Sequence, residues 1–218
     1  MPHLPAFDAI LLDFDGVLAD TEPVHCACWA EVLRPLGLAL TWDYYSANCI
    51  GIDDRDMLRK MAACADPPGD WQEMWAQYPR KKEIFRARML SAPPFLPELD
   101  GLLGSLHRQY KLAVVSSSSR TEIDPLLMAG GLRAHFDAVV CSEDLPREKL
   151  KPAPDPYLLA ADRLGAERPL VVEDSAAGLA AGRAAGFEVL EVRLAAELPE
   201  LLKKKLAVHS SQWSVPEN

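Results

Sequence analysis

The chain has 218 residues, 49% of them apolar, and a formal charge of −9 from 32 acidic and 23 basic side chains. The apolar fraction excludes an intrinsically disordered chain, and the length suffices for one domain with a sizeable core or a core domain with a small insert. The acidic excess argues against a nucleic-acid partner, which needs a basic footprint, but leaves room for an anionic substrate at a locally cationic site.

The first apolar run, Phe7 to Leu12, contains a predicted buried strand at Ala9–Leu12 that ends on Asp13, Asp15 and Gly16. From about Thr21 to Pro94 no strand pattern appears. Helices are predicted over Glu22–Leu36 and Asp53–Ala63, with one or two more between Trp71 and Met89 despite Pro79. Pro67–Pro68 and the stretch "APPFLP" (Ala92–Pro97) punctuate this region. The expectation is a helical cap at 19–94, inserted between core segments 1–18 and 95–218.

Beyond it, apolar runs recur at Lys111–Val115, Asp137–Val140, Pro169–Val172 and Phe187–Val192. Their shortness and near-continuous apolarity suit parallel strands covered on both faces. "TEIDPLLMAGGL", "PDPYLLAADRLGA" and "AAGLAAGRAAG" read as the helices between them, with glycines near their ends. The alternation predicts an α/β fold, a Rossmann-like parallel sheet core carrying the inserted α-helical cap. After Glu191 the pattern weakens. Lys203 to Lys205 read as a solvated face, and Trp213 either packs back or meets a partner.

No stretch of about 18 apolar residues is present, so no membrane span is expected. The first residues lack a basic region followed by an apolar core, and the five cysteines are odd in number. Free thiols in a reducing cytoplasm are expected, not disulfides or a metal site.

Ligands of open α/β sheets collect beyond the carboxyl ends of the strands. The residues expected at that edge are Asp13 and Asp15, Ser116 with Ser117 to Ser119 and Arg120, Lys151, and Glu173 with Asp174. Carboxylates packed so closely repel one another, and a hard divalent cation with oxygen ligands, magnesium, is the economical counter-charge. A carboxylate at the strand end can take up a phosphoryl group as an acyl phosphate. A second, two residues on, can then protonate the leaving oxygen and later take a proton from water.

"DFDGVLADT", "VVSSSSR", "KPAPDPY" and "VVEDSAAG" resemble, in order, the four motifs of the haloacid dehalogenase-like hydrolases, over about residues 7 to 192. The insert resembles the helical cap class that includes β-phosphoglucomutase and the phosphoglycolate and sugar-phosphate phosphatases. The resemblance implies Mg²⁺, an aspartyl-phosphate on Asp13, acid and base work by Asp15, a phosphate contact from Ser116 and an electrostatic role for Lys151. It implies metal binding by Asp13, Asp174 and the Asp15 carbonyl, with Glu173 as ligand or supporting group. Haloalkanoic dehalogenases of this superfamily lack the second aspartate, so Asp15 favours phosphoryl chemistry.

The expected activity is hydrolysis of a small phosphomonoester, of sugar phosphate or phosphoglycolate type. The alternative is a β-phosphoglucomutase-like mutase. Thr21 and His25 resemble the mutases' hinge threonine and the histidine that positions the acid, and Lys81 or Lys82 their cap lysine. Yet mutases carry a lysine just before the glycine matched by Gly51, where this chain has Ile50. Three residues after it they carry an arginine, where this chain has Asp54 and then Arg55. Ser117, His25, Arg120, Arg55 and Lys81 are the candidate substrate contacts, although Arg120 also reads as a surface residue at a helix start. Asp53, Asp54 and Asp56 read as solvated helix-start charges, and Trp71 and Trp75 as core. The expected partner is a small phosphorylated substrate, with no nucleic acid and no membrane, for a monomer or weak homodimer.

Overall fold

The computed structural model describes residues 6–50, 52, 54–65 and 68–207. Gly51, Asp53, Pro67 and Trp213 lie outside the described residues. The chain divides into two compact units, residues 1–20 with 94–218, and residues 21–93.

The strands are β1 (Ala9–Leu12), β2 (Lys111–Val115), β3 (Ala138–Val140), β4 (Pro169–Glu173) and β5 (Glu188–Glu191). In chain order the helices are α1 (Glu22–Leu33), α2 (Trp42–Asn48), α3 (Asp54–Cys64), α4 (Trp71–Trp75), α5 (Tyr78–Ser91), α6 (Leu99–His107), α7 (Arg120–Ala129), α8 (Asp155–Leu164), α9 (Ala176–Ala184) and α10 (Leu198–Ala207).

The first unit is an α/β layer structure around a five-stranded sheet ordered β3-β2-β1-β4-β5. Every pairing is parallel, and β1 sits in the middle with Ile10 opposite Leu112 on one side and Leu170 on the other. All four β1 residues are fully buried, which explains their unbroken apolarity: a central parallel strand has no wet face. Leu11, Val115, Val140, Tyr157, Ala160 and Val171 belong to one core cluster. The small residues of α9 have a steric reason. A Cβ on Gly182 would lie 2.9 Å from Val189 Cγ2 and 3.0 Å from Val171 Cγ1, so only glycine lets the helix seat this closely.

Two crossing connections leave β1's carboxyl end as the point where the strand order reverses, the place such sheets hold ligands. The unit boundaries fall at 20/21 and 93/94, not at the expected 18/19 and 94/95. The reason is local. Ala19 bridges both Asp15 and Phe95, and the Asp20 N–H donates to the Pro94 carbonyl at 3.1 Å. These residues are tied to the sheet unit.

The second unit is helical, with Trp29, Leu33, Met57, Leu58 and Met74 buried in its core. Helix α1 stops at Leu33 and continues as a 3₁₀ turn over Arg34–Leu36, ended by Gly37 at φ +77°. Pro79 falls in the first turn of α5, where its missing N–H has no intrahelical partner to lose. Two helices, therefore, occupy Trp71 to Met89. The seven-residue α2 has no counterpart in the sequence expectations. Cys26, Cys28, Cys49 and Cys141 are buried free thiols and Cys64 is exposed. Among the described residues no helix is long and apolar enough to cross a membrane.

Candidate active site

Three strand ends converge in the sheet unit. The Asp13 N–H donates to the Val172 carbonyl at 3.0 Å, extending the β1–β4 ladder by one residue. That bond fixes Asp13 beside Glu173. The chain then turns sharply: Gly16 N–H donates to Ala19 O at 2.8 Å, and Gly16 has φ +75°. The glycine is required twice over, because a Cβ there would lie 2.0 Å from Asp174 Oδ2.

Lys151 is the centre of the constellation. Its buried ammonium donates to Asp13 Oδ1 at 2.5 Å, Glu173 Oε1 at 2.5 Å and the Val115 carbonyl at 2.8 Å. It therefore links the ends of β1, β2 and β4. Glu173 accepts at both oxygens. Oε1 takes Lys151 and the Tyr157 hydroxyl, the latter at 2.7 Å, while Oε2 takes the Asp174 N–H, the Ser175 N–H and the Ser175 hydroxyl, each at 3.0 Å. A Cβ on Gly178 would lie 1.7 Å from Glu173 Oε1, so glycine clears the space for this carboxylate.

The charges are unevenly offset. Burial, then the nearby Glu173 and Asp15 carboxylates, hold the Asp13 carboxyl well above the usual carboxylate range against the pull of Lys151. Asp174 is pushed up to about 7 by burial on its protein side and by Glu173. Glu173 goes the other way. Burial works to raise it, but Lys151 and the donated hydrogen bonds hold it below its ordinary value. One lysine thus compensates one carboxylate fully and leaves two disfavoured as anions. Asp13, Glu173 and Asp174 each offer an oxygen within 4.8 Å of the others. An oxygen-only, undercompensated set of this kind fits a hard divalent cation.

The loop after β2 supplies hydroxyls. Ser116 is buried, and its Oγ accepts the Ser118 N–H at 3.0 Å. Ser118 Oγ in turn donates to Asp15 Oδ2 at 3.2 Å, a contact that the serine run did not reveal. Ser117 is exposed. Ser119 caps α7 through a reciprocal box with Glu122.

Arg120, expected either at the surface of a helix start or against substrate, makes intramolecular bonds. Its guanidinium bonds Asp144 Oδ2 at 2.6 Å and the Val139 carbonyl at 3.1 Å, joining α7 to the segment after β3. An arginine at a helix start has the reach to span two elements, and here Asp144 claims it. Tyr157, which the sequence reading passed over, bonds directly into the site.

The remaining candidates lie in the helical unit and form a cluster of their own. Lys81 is buried and its Nζ lies 2.7 Å from His25 Nδ1 and 3.1 Å from Asp54 Oδ2. An ammonium only donates, so Nδ1 accepts and the imidazole proton belongs on Nε2. The His25 ring stacks on Phe85 with centroids 4.1 Å apart. Asp54 also accepts from Trp29 Nε1 at 2.8 Å. It is therefore not the solvated helix-start charge expected. The buried lysine captures it, whereas Asp56 pairs with Arg59 at the surface. The Arg55 guanidinium lies over the Trp75 ring at 4.6 Å, and Arg59 over Trp71 at 4.5 Å. These tryptophans are half-buried at the rim of the helical core, not inside it.

A doubly wound parallel sheet whose switch point presents a lysine-bridged carboxylate cluster beside a serine loop defines an α/β protein with a carboxylate-based site at the sheet's carboxyl edge. The chain belongs to the haloacid dehalogenase-like hydrolase family, whose model matches residues 10–192. It is 33% identical over 190 residues to the fructose-1-phosphate phosphatase YqaB of Escherichia coli, covering 86% of this chain and 97% of that one. It is 30% identical to a plasmid-encoded phosphoglycolate phosphatase of Cupriavidus necator, over 85% of this chain and 80% of that one. A haloacid dehalogenase-like protein of unknown function from Agrobacterium tumefaciens shares the fold, with a TM-score of 0.77 at 22% identity over 91% and 99% of the two chains. The enzyme is a phosphatase.

Proposed function

We propose that the protein is a Mg²⁺-dependent phosphomonoester hydrolase that works through an aspartyl-phosphate on Asp13, with a small sugar phosphate or phosphoglycolate-type substrate. The observation that carries this reading is Lys151, held at 2.5 Å from both Asp13 and Glu173 at the carboxyl edge of the sheet. A cation so placed neutralises charge on the nucleophile and on the group being transferred. Asp13 and Asp174, with the Asp15 carbonyl, would hold the metal, and Glu173 would support them from behind. When bound, the metal supplies charge neutralisation for the phosphoryl oxygens.

The residues then divide the work. An Asp13 oxygen attacks phosphorus and forms the acyl phosphate as the ester bond breaks. Asp15 gives its proton to the departing alkoxide. Asp15, held by Ser118, next removes a proton from water, the water attacks phosphorus, and Asp13 is regenerated as inorganic phosphate leaves. Ser116 accepts the Ser118 N–H, so its own O–H proton can be offered to a phosphoryl oxygen.

Ile50 and Asp54 support hydrolysis over mutase chemistry. At the position the resemblance assigns to a phosphate-binding arginine stands a carboxylate already bonded to Lys81 and Trp29. A second phosphate group would meet negative charge there. The protein is proposed as a cytoplasmic monomer or weak homodimer without nucleic-acid partners.

The test is phosphate release from a panel of sugar phosphates, phosphoglycolate and nucleotides, with isomerised sugars followed in the same tubes. Mg²⁺-dependent release, abolished by EDTA, is expected for one or more of the small phosphomonoesters. Isomerisation of a hexose 1-phosphate with little free phosphate would make the enzyme a mutase. Silence across the panel from folded protein would overturn the reading.

A further inference from the structure

Tyr157 stands in the first turn of α8, six residues beyond Lys151, and is fully buried. Its hydroxyl donates to Glu173 Oε1 at 2.7 Å, the same oxygen that accepts Lys151. Its ring face lies 5.0 Å from the Lys151 ammonium. The aromatic body packs in the sheet core with Ala160, Val171 and Val140, and that packing needs no oxygen. The hydroxyl has a separate task.

Lys151 is shared between two carboxylates at equal distance. On the Glu173 side the Tyr157 hydroxyl donates to the same oxygen and so lowers that oxygen's pull on the shared ammonium. At Oε2 three donors from Asp174 and Ser175 fix the other end of the group. One of those donors is the backbone N–H of Asp174 itself, so the rotation of Glu173 is coupled to where Asp174 stands.

We propose that Tyr157 is a positioning residue of this site, whose hydroxyl fixes Glu173 and thereby holds Lys151 on Asp13 and aligns Asp174. Removing the hydroxyl leaves Glu173 Oε1 with Lys151 as its remaining side-chain donor, and the ammonium is drawn off Asp13. The inference rests on the proposed reading, on its substrate for the kinetic arm and on its metal for the calorimetric one.

The test is a double-mutant cycle of Tyr157→Phe and Glu173→Gln, read by kinetics and by Mg²⁺ titration calorimetry. Tyr157→Phe should lower kcat about tenfold and weaken Mg²⁺ binding several-fold, the usual range for a group that orients metal ligands. KM should stay within about twofold, because the hydroxyl does not touch substrate. In the Glu173→Gln background the same change should cost clearly less than in the wild type, since only a neutral amide oxygen is left to accept the hydroxyl. Unchanged kcat and Mg²⁺ affinity in Tyr157→Phe, or losses that simply add in the double variant, would overturn the proposal. If Glu173→Gln does not fold, the kcat–KM split and the Mg²⁺ affinity of Tyr157→Phe decide alone. The calorimetry needs no substrate, so a wrong substrate class would leave that arm intact, and absence of Mg²⁺ binding to the wild type would show the failure to lie in the proposed metal and not in Tyr157.

Discussion

Asp13→Asn is expected to abolish turnover, by at least about 10⁴-fold in kcat, while making the metal-free protein more stable. The two effects have one cause. Asp13 is a nucleophile placed where a carboxylate is disfavoured, by burial first and by Glu173 and Asp15 next. An amide keeps the shape, still accepts from Lys151, and removes the charge. The sign follows from proton linkage. The folded protein holds the Asp13 proton more tightly than the unfolded chain, so the carboxylate's penalty is absent below the ordinary carboxylate pKa of about 4. It grows as pH rises toward the folded-state value. Wild type and variant should therefore melt together in acid and separate toward neutral pH. At pH 7 the metal-free variant should melt measurably higher than the wild type. Saturating Mg²⁺ should narrow the gap by supplying the missing positive charge. Thermal melts from pH 4 to 8, with and without Mg²⁺, check this. A variant that melts lower at every pH would contradict the charge account.

Lys151→Met should remove activity and stability together. The ammonium offsets the buried Glu173 charge and donates to buried Asp13 as well, and its loss leaves Glu173 unpaired and both carboxyls without that donor. Breaking a buried pair by deleting one partner costs about 3–5 kcal/mol, which here corresponds to a melting point lower by about 10 °C. Turnover should fall by more than about 10²-fold, because a fixed charge aimed at the transferring group is lost. Lys151→Arg keeps the charge but brings a planar fork that cannot meet Asp13, Glu173 and the Val115 carbonyl from one point. It should melt between wild type and Lys151→Met and remain poorly active. Paired melting curves and steady-state rates on the best panel substrate settle both points. Wild-type stability in Lys151→Met would mean that the pair carries no structural weight.

What could be read from the sequence follows from what leaves a pattern. Strands buried on both faces produce unbroken apolar runs, so β1, β2 and β4 and the polar residues ending them were legible together. Asp13, Ser116, Lys151 and Glu173 were thereby assigned to one edge. Side-chain pairing leaves no such pattern. The resemblance makes Lys81 a candidate substrate contact, but its sequence shows nothing of the enclosure by Trp29, His25 and Asp54. The same enclosure turned Asp54 from a solvated charge into a buried-lysine partner. Arg120 lies next to the serine loop in sequence, but Asp144, far along the chain, determines where it points. Tyr157 carries only a weak signal: it shares a short loop-to-helix segment with Lys151, but an aromatic residue there does not announce a hydrogen bond to Glu173. The short α2 has too few residues for a helical period to show.

The account turns on Asp13 as the group that carries phosphate. The most direct measurement is rapid acid quenching of the enzyme during turnover of its best substrate with Mg²⁺, followed by mass analysis of the peptide spanning Asp13 and Asp15. The account predicts a phosphoryl group on that peptide, assigned by fragmentation to Asp13, appearing before steady-state phosphate release and absent from Asp13→Asn. Phosphate release with no phosphoryl group on Asp13 at any quench time, or with the group on a different residue, would contradict it.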